Sequence, residues 1–78
     1  MMSYSKLDTV VLARDLPEHG LRAGDLGAVV EVYDRGGLEV EFVTASGRTT
    51  ALVTLKSVDV RPIADTDLVA VRSTEQSA

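Results

Sequence analysis

The sequence predicts an all-β fold: a small barrel of five short antiparallel strands with an extra C-terminal segment. Short runs of valine, leucine and other strand-forming residues recur along the chain, and Gly, Pro or Asp separates them. Tight turns connect the middle three runs, and this spacing is typical of a small barrel. Closing the sheet also removes exposed strand edges, which are a hazard in a chain so rich in valine.

Length and composition indicate one small domain. The chain has 78 residues, no cysteine and a net charge of −4, without a run of Lys or Arg that would neutralise phosphates. This charge distribution argues against nucleic acid as a partner. No apolar stretch approaches the ~20 residues of a membrane helix, and the N-terminus lacks the apolar core of a signal peptide. We expect a cytoplasmic protein with a barrel core at about 7–62, an extension at 63–72 and a frayed tail at 73–78.

The first strand is predicted at residues 9–14, a β-branched run that ends before Asp15. Residues 16–20 form a loop, because Pro17 fixes one backbone angle and Gly20 permits a positive one. After a turn, the second strand is predicted at about 27–34.

The third strand, residues 38–43, alternates between apolar and acidic side chains. Cross-strand partners share a face, so its apolar residues should face those of the second strand. This register leaves 35–37 as a three-residue hairpin loop, in which glycine supplies the left-handed position. The predicted pairs are Val32 with Val40 and Val30 with Phe42.

The fourth strand is predicted at 49–55, joined to the third by the two-residue loop Ser46-Gly47. Residues 56–57 form a tight turn, and 58–61 form a fifth strand stopped by Pro62. Residues 65–67 could cap a short helix, whereas 68–72 could equally form a sixth strand, which the Val-Ala-Val sequence favours slightly. The predicted pairs of the fourth strand are Phe42 with Ala51 and Val40 with Val53.

The glycine-then-valine pattern Gly-x-x-Gly-x-Val-x-x-Val at 24–32, followed by Gly-Arg-x-Thr at 47–50, resembles the KOW-type branch of SH3-like barrels. Over residues 6–72 the chain resembles a family of small bacterial proteins of unknown function, DUF4926. The shared segments are Leu-Asp-x-Val-Val at 7–11, Leu-Pro-x-x-Gly-Leu at 16–21 and Val-Arg-Pro at 60–62.

This resemblance implies an SH3-like barrel but no particular activity. Some relatives lie beside toxin-like genes, which would imply a neutralising or accessory binding role. KOW relatives often contact RNA or ribosomal partners through basic loops. The corresponding candidates for an anion or RNA site are Arg22, Arg35 and Arg48.

No catalytic, metal or cofactor site is predicted. His19 is the only histidine, and we interpret it as a solvated loop residue because neither a nucleophile nor further ligands accompany it. Gly24 and Gly27 could cradle a phosphate, but they lack the helix and lysine of such a loop. We interpret these glycines as a tight turn and a bend of the barrel.

An acidic outer face is the main candidate for binding a partner. The predicted register places Glu31 opposite Glu41 and Tyr33 opposite Glu39, with Leu52 exposed beside Glu41. Facing carboxylates cost up to about 1 kcal/mol. One interpretation is a solvated face whose charge is offset by neighbouring Lys or Arg. The other is an acidic surface with an aromatic anchor, suited to a basic protein.

These observations favour a non-enzymatic protein-binding module, an accessory or neutralising partner of a more basic protein. The alternative is a KOW-like module associated with RNA or the ribosome. A further alternative is a non-catalytic subunit of an enzyme complex, which SH3-like barrels also form. An exposed strand at 68–72 could also mediate a homodimer.

Overall fold

The computed structural model describes residues 3–74, which form one antiparallel sheet of five strands with no α-helix. The order across the sheet is β4-β3-β2-β1-β5, and short 3-10 turns occupy Pro17–His19, Asp34–Gly36 and Ser57–Asp59. The predicted all-β fold with five antiparallel strands is confirmed, and it is consistent with a small SH3-like barrel. The expectation that closure removes the strand edges is wrong, because β4 and β5 end the sheet and do not pair with each other. The strands are β1 (Thr9–Leu12), β2 (Leu26–Val32), β3 (Gly37–Val43), β4 (Thr49–Lys56) and β5 (Val60–Pro62).

The core consists of aliphatic side chains from all five strands together with one aromatic ring. Alternate residues of β3 and β4 face inward, as expected for strands with one buried face. Val10, Val29 and Val40 are completely buried at the centre. The remaining core members are Leu12, Leu16, Leu21, Leu38, Phe42, Val53, Leu55 and Val60.

The loop between β1 and β2 adds two of these core residues. Leu16 and Leu21 exchange backbone hydrogen bonds of 2.9 and 3.1 Å, and the 3-10 turn between them ends at Gly20, whose φ is +70°. Burial of both leucines fixes the loop against the barrel. The Leu-Pro-x-x-Gly-Leu segment is therefore a structural closure of the loop.

The predicted register between β2 and β3 is wrong. Val29 faces Val40, and Val32 faces Leu38, because a bulge between Val29 and Glu31 shifts the pairing. Val30 is the extra residue of the bulge. Odd-numbered residues of β2 such as Val29 therefore face the core before the bulge, and even-numbered Val32 faces the same side after it. The hairpin loop consequently lies one residue earlier than predicted, at Asp34–Gly36.

The predicted pairs between β3 and β4 are confirmed: Phe42 faces Ala51, and Val40 faces Val53. The loop, however, has three residues rather than two. A second bulge makes Val43 face Thr49, and 45–47 then turn the chain, with φ of +88° at Gly47. This is the three-residue hairpin geometry that uses a left-handed glycine.

The strand ends also differ from the prediction. β1 stops at Leu12 and β2 at Val32, two residues before their predicted ends. β5 begins at Val60 because 57–59 form a 3-10 turn, and it includes Pro62. Proline is tolerated there because β5 is an edge strand.

Residues 63–72, called the strap below, form neither the predicted sixth strand nor the alternative short helix. The strap contains one turn at 65–66 and otherwise runs without regular structure. Leu68 and Val71 are 94% and 95% exposed, so neither packs on the core. The predicted frayed tail, 73–78, lies mainly outside the described residues.

Candidate partner-binding surface

Five side chains of β2, β3, β4 and the β2–β3 loop share the outer face of the sheet. Glu31 faces Glu39 across β2 and β3, and Leu52 faces Glu41 across β3 and β4. Tyr33 follows β2 and its hydroxyl lies 3.4 Å from a Glu39 carboxylate oxygen. We call these five residues the acidic face.

The bulge in β2 rearranges this face relative to the prediction. Glu31 lies opposite Glu39, so the predicted opposition of Glu31 and Glu41 is wrong. Glu41 instead faces Ala28 on β2. The predicted opposition of Tyr33 and Glu39 is wrong as well, because the Tyr33 N–H donates to the Gly37 carbonyl. The predicted position of Leu52 beside Glu41 is confirmed, and Leu52 is 54% exposed.

Neighbouring hydroxyls and one lysine stabilise the three carboxylates. The Thr54 hydroxyl donates a 2.6 Å hydrogen bond to Glu39, and the Thr49 hydroxyl donates one of 2.6 Å to Glu41. Both donors belong to β4, so these carboxylates incline toward that strand. Lys6 approaches Glu31 with an Nζ–Oε2 distance of 3.5 Å, which partly offsets the repulsion from the acid opposite.

Tyr33 is the aromatic member of the acidic face and is about half exposed. Partial burial, followed by the nearby Glu39 and Glu31 carboxylates, raises the pKa of its hydroxyl. The phenol therefore stays protonated and can donate a hydrogen bond. An exposed ring next to carboxylates can contact both apolar and cationic groups of a partner.

A groove between the strap and the barrel is a second feature, which the sequence analysis missed. Its volume is about 730 Å³, within the range of ligand-binding clefts. No residue pattern in the sequence indicates it, because its two walls come from distant parts of the chain. Apolar lining residues include Val11, Leu26, Phe42, Val43, Ile63 and Leu68. Leu52 does not line this groove and is 54% exposed.

Two ion pairs hold the strap on the barrel. Arg61 donates two hydrogen bonds of 2.9 Å to the two oxygens of Asp67, which also accepts one from the backbone N–H of Ala64. Near the other end, Arg72 donates to both oxygens of Asp25, with an Nε–Oδ1 distance of 2.9 Å. Such bidentate contacts fix the geometry of both partners.

The pKa values of these acids reflect their partners. The hydrogen bonds from Arg61 and from the Ala64 backbone lower the pKa of Asp67 to about 2. The hydrogen bond from Arg72 lowers the pKa of Asp25, although partial burial opposes the change. Both carboxylates are thus ionised near neutral pH, and their arginines neutralise the charge that lines the groove.

The other candidate residues lie apart from the acidic face. His19 is exposed in its 3-10 turn, and Gly24 adopts φ of +97° in the turn before β2. Arg22 and Arg48 belong to loops at one end of the β2–β3 pair, whereas Arg35 belongs to the hairpin at the opposite end. The topology therefore does not bring the three arginines together on one surface.

Two further findings concern residues 3–74 alone. They contain no group of three or more His, Asp or Glu residues placed to hold a metal ion. They also contain no helix with the length and apolar character needed to cross a membrane.

The fold is a small all-β sheet, consistent with a barrel, and three carboxylates lie on its outer face. The family model for a domain of unknown function, DUF4926, matches residues 6–62, and the chain therefore belongs to this family. The match covers more than half of the chain but ends at Pro62, so the strap lies outside it. No curated protein and no solved structure matches the chain.

Proposed function

We propose that this chain is a non-enzymatic protein-binding module of the bacterial cytoplasm that uses its acidic face to bind a more basic protein. The observation that supports the proposal most directly is the grouping of three carboxylates with an exposed aromatic and an exposed leucine. Charged groups steer association and select partners of complementary sign, while apolar side chains supply contact area.

The geometry of the acidic face favours a binding role over simple solvation. Lys6 is the cation that approaches one of the three carboxylates, and hydroxyl groups contact the other two without neutralising them. The negative potential of Glu39 and Glu41 is therefore available to a partner. Leu52 and Tyr33 flank these acids and remain about half exposed, as expected for anchor residues of a free surface.

The test is affinity capture from a lysate of the source cell with two forms of the protein as bait. One bait is the unaltered chain, and the other carries Glu31→Lys, Glu39→Lys and Glu41→Lys. We expect a basic protein to be retained by the unaltered bait and lost with the triple variant. Circular dichroism and thermal unfolding of both baits verify that the triple variant still folds.

A control bait carries Glu18→Lys and Asp65→Lys, which reverse charges in loops outside the acidic face. A bait with only Glu39→Lys and Glu41→Lys has the same change in net charge as this control. Retention of the same protein by the control and its loss with that pair shows that the effect belongs to the face rather than to net charge. Equal capture by the triple variant would contradict the proposal. Each lysate is also divided and one half treated with RNase; ribosomal proteins retained only without RNase would favour the RNA-binding alternative.

A further inference from the structure

The edge strand β4 presents a row of backbone groups that no other described strand pairs with, although at its end the Lys56 N–H donates a 2.9 Å hydrogen bond to the Asp59 carboxylate. It lies first in the sheet order and pairs with β3 along one side; within residues 3–74 no strand pairs with its other side. β4 spans 8 residues and contains neither Pro nor an acidic residue, and Lys56 at its end is its one charge. Edge strands are usually short, charged or interrupted by Pro, and the opposite edge strand β5 has 3 residues that include Pro62.

The carboxylates of the neighbouring strand lie on the β4 side of the acidic face. Glu39 accepts its hydrogen bond from Thr54, and Glu41 accepts its hydrogen bond from Thr49. Adjacent strands are separated by about 4.8 Å, so a strand added to β4 would lie about 10 Å from β3, and the inclination of both carboxylates toward β4 shortens the gap. A lysine or arginine on a strand paired with the free edge of β4 can therefore reach across the threonines to these carboxylates.

We propose that the occupant of this edge is an extended protein segment with basic side chains on its outer face, which adds to β4 as a sixth strand. Backbone hydrogen bonds to β4 provide affinity, and the carboxylates of Glu39 and Glu41 select the basic side chains. Leu52, exposed at the middle of β4, contacts an aliphatic portion of the added segment. This inference rests on the proposed protein-binding function and specifies its mode and partner chemistry.

A second copy of the chain fits this edge poorly. Antiparallel pairing of two β4 strands about Leu52 would place Lys56 of one copy opposite Arg48 of the other. The two acidic faces would also lie side by side on the same surface of the joined sheet. Both arrangements bring like charges together, which disfavours this pairing.

The probe is a synthetic peptide of alternating lysine and valine, as long as β4, studied by calorimetry and by amide NMR of the labelled protein. We expect binding with shift changes concentrated along β4 and slowed exchange of its amide protons. Two matched peptides have N-methyl groups on all lysines or on all valines. Alternate residues direct their N–H groups to opposite edges of a strand, so each peptide loses the donors of one edge.

Strand addition predicts that one methylated peptide binds as well as the parent and that the other binds at least tenfold more weakly. Equal binding by both methylated peptides would mean that charge alone attracts the probe, which overturns the inference. Shift changes centred away from β4 would overturn it as well. Dimerisation of the protein alone through β4, detected by light scattering and NMR, would show that a second copy occupies the edge.

Variants of the protein separate this inference from the proposed function. Glu39→Gln and Glu41→Gln together should weaken the parent peptide at least fivefold, whereas Glu31→Gln should have less than a twofold effect. Glu31 lies on β2, one strand farther from the free edge, and it already contacts Lys6. If each of the three Glu→Gln changes weakened peptide binding by a similar factor and no strand addition were detected, the proposed binding role of the acidic face would be supported. The inference that the partner adds to the edge of β4 would be refuted.

Discussion

Replacement of Gly27 by alanine should destabilise the protein, although alanine is acceptable to the backbone there. Gly27 lies in β2, is buried and is not among the glycines with positive φ. A Cβ atom at this position would lie 2.6 Å from Val40 Cγ1 and 2.9 Å from Phe42 Cε1. Val40 and Phe42 both belong to the packed hydrophobic core, so neither can move without disturbing other buried side chains.

The expected magnitude follows from overpacking. Extra methyl groups in a packed core typically cost about 1–3 kcal/mol. Gly→Ala also lowers the conformational entropy of the unfolded chain, which stabilises the folded protein by about 0.4–1 kcal/mol. The free energy of unfolding should therefore fall by about 1–2 kcal/mol overall. Domains of this size lose about 4–8 °C in Tm for each kcal/mol, which gives a decrease of about 5–15 °C.

The matched control is Gly37→Ala, the same change at a position in β3. Gly37 has φ of −77°, and a Cβ there would make an ordinary contact of 3.4 Å with Tyr33. Urea unfolding monitored by circular dichroism should show that Gly37→Ala is neutral or stabilising, whereas Gly27→Ala is destabilising. Adding Val40→Ala to Gly27→Ala should reduce the cost of the glycine substitution, because it removes the closest clashing atom. Equal stability of the two alanine variants would refute the packing argument.

Three other predictions concern the N-terminal segment and the strap. Tyr4→Phe should leave stability unchanged or raise it by up to about 1 kcal/mol in thermal unfolding, since the buried Tyr4 hydroxyl has no hydrogen-bond partner among the described residues. Because the folded-state pKa of Asp67 is lowered from 3.8 to about 2, the stabilisation it provides is complete above about pH 4 and disappears as the pH falls through 2. The amide NMR signal of Ala64 should follow this titration, and an unchanged signal at pH 2 would contradict the assignment. Asp25→Asn should increase hydrogen exchange of the strap while costing about 1 kcal/mol or less of global stability. The change weakens the contact with Arg72, but the asparagine oxygen can still accept the hydrogen bond from the Arg22 N–H in the turn. Unaltered exchange would show that this ion pair does not hold the strap.

The acidic face shows how far sequence reasoning extended. Alternation in β3 was sufficient to place Glu39 and Glu41 outward, because side chains of a strand alternate between two faces. The β3–β4 pairs followed from the same alternation and are confirmed. The partner of Glu31 was predicted incorrectly, because one extra residue in a strand moves every following side chain to the opposite face. No residue type in β2 marks the position of that bulge unambiguously.

Local chemistry in the sequence determined the approximate positions of the five strands, since β-branched runs and turn residues act over a few neighbours. The same reasoning favoured a sixth strand at 68–72, which the structure does not contain. Gly24 and Gly27 are required for different reasons, one set by the local backbone and the other by side chains distant in the sequence. Gly24 meets a local need for positive φ, whereas Gly27 is small because Val40 and Phe42 occupy the space beside it. The tertiary structure alone decided the bulges, the path of the strap and the groove beneath it. These features depend on how distant segments pack and form ion pairs, such as Asp25 with Arg72, and no local pattern encodes such contacts.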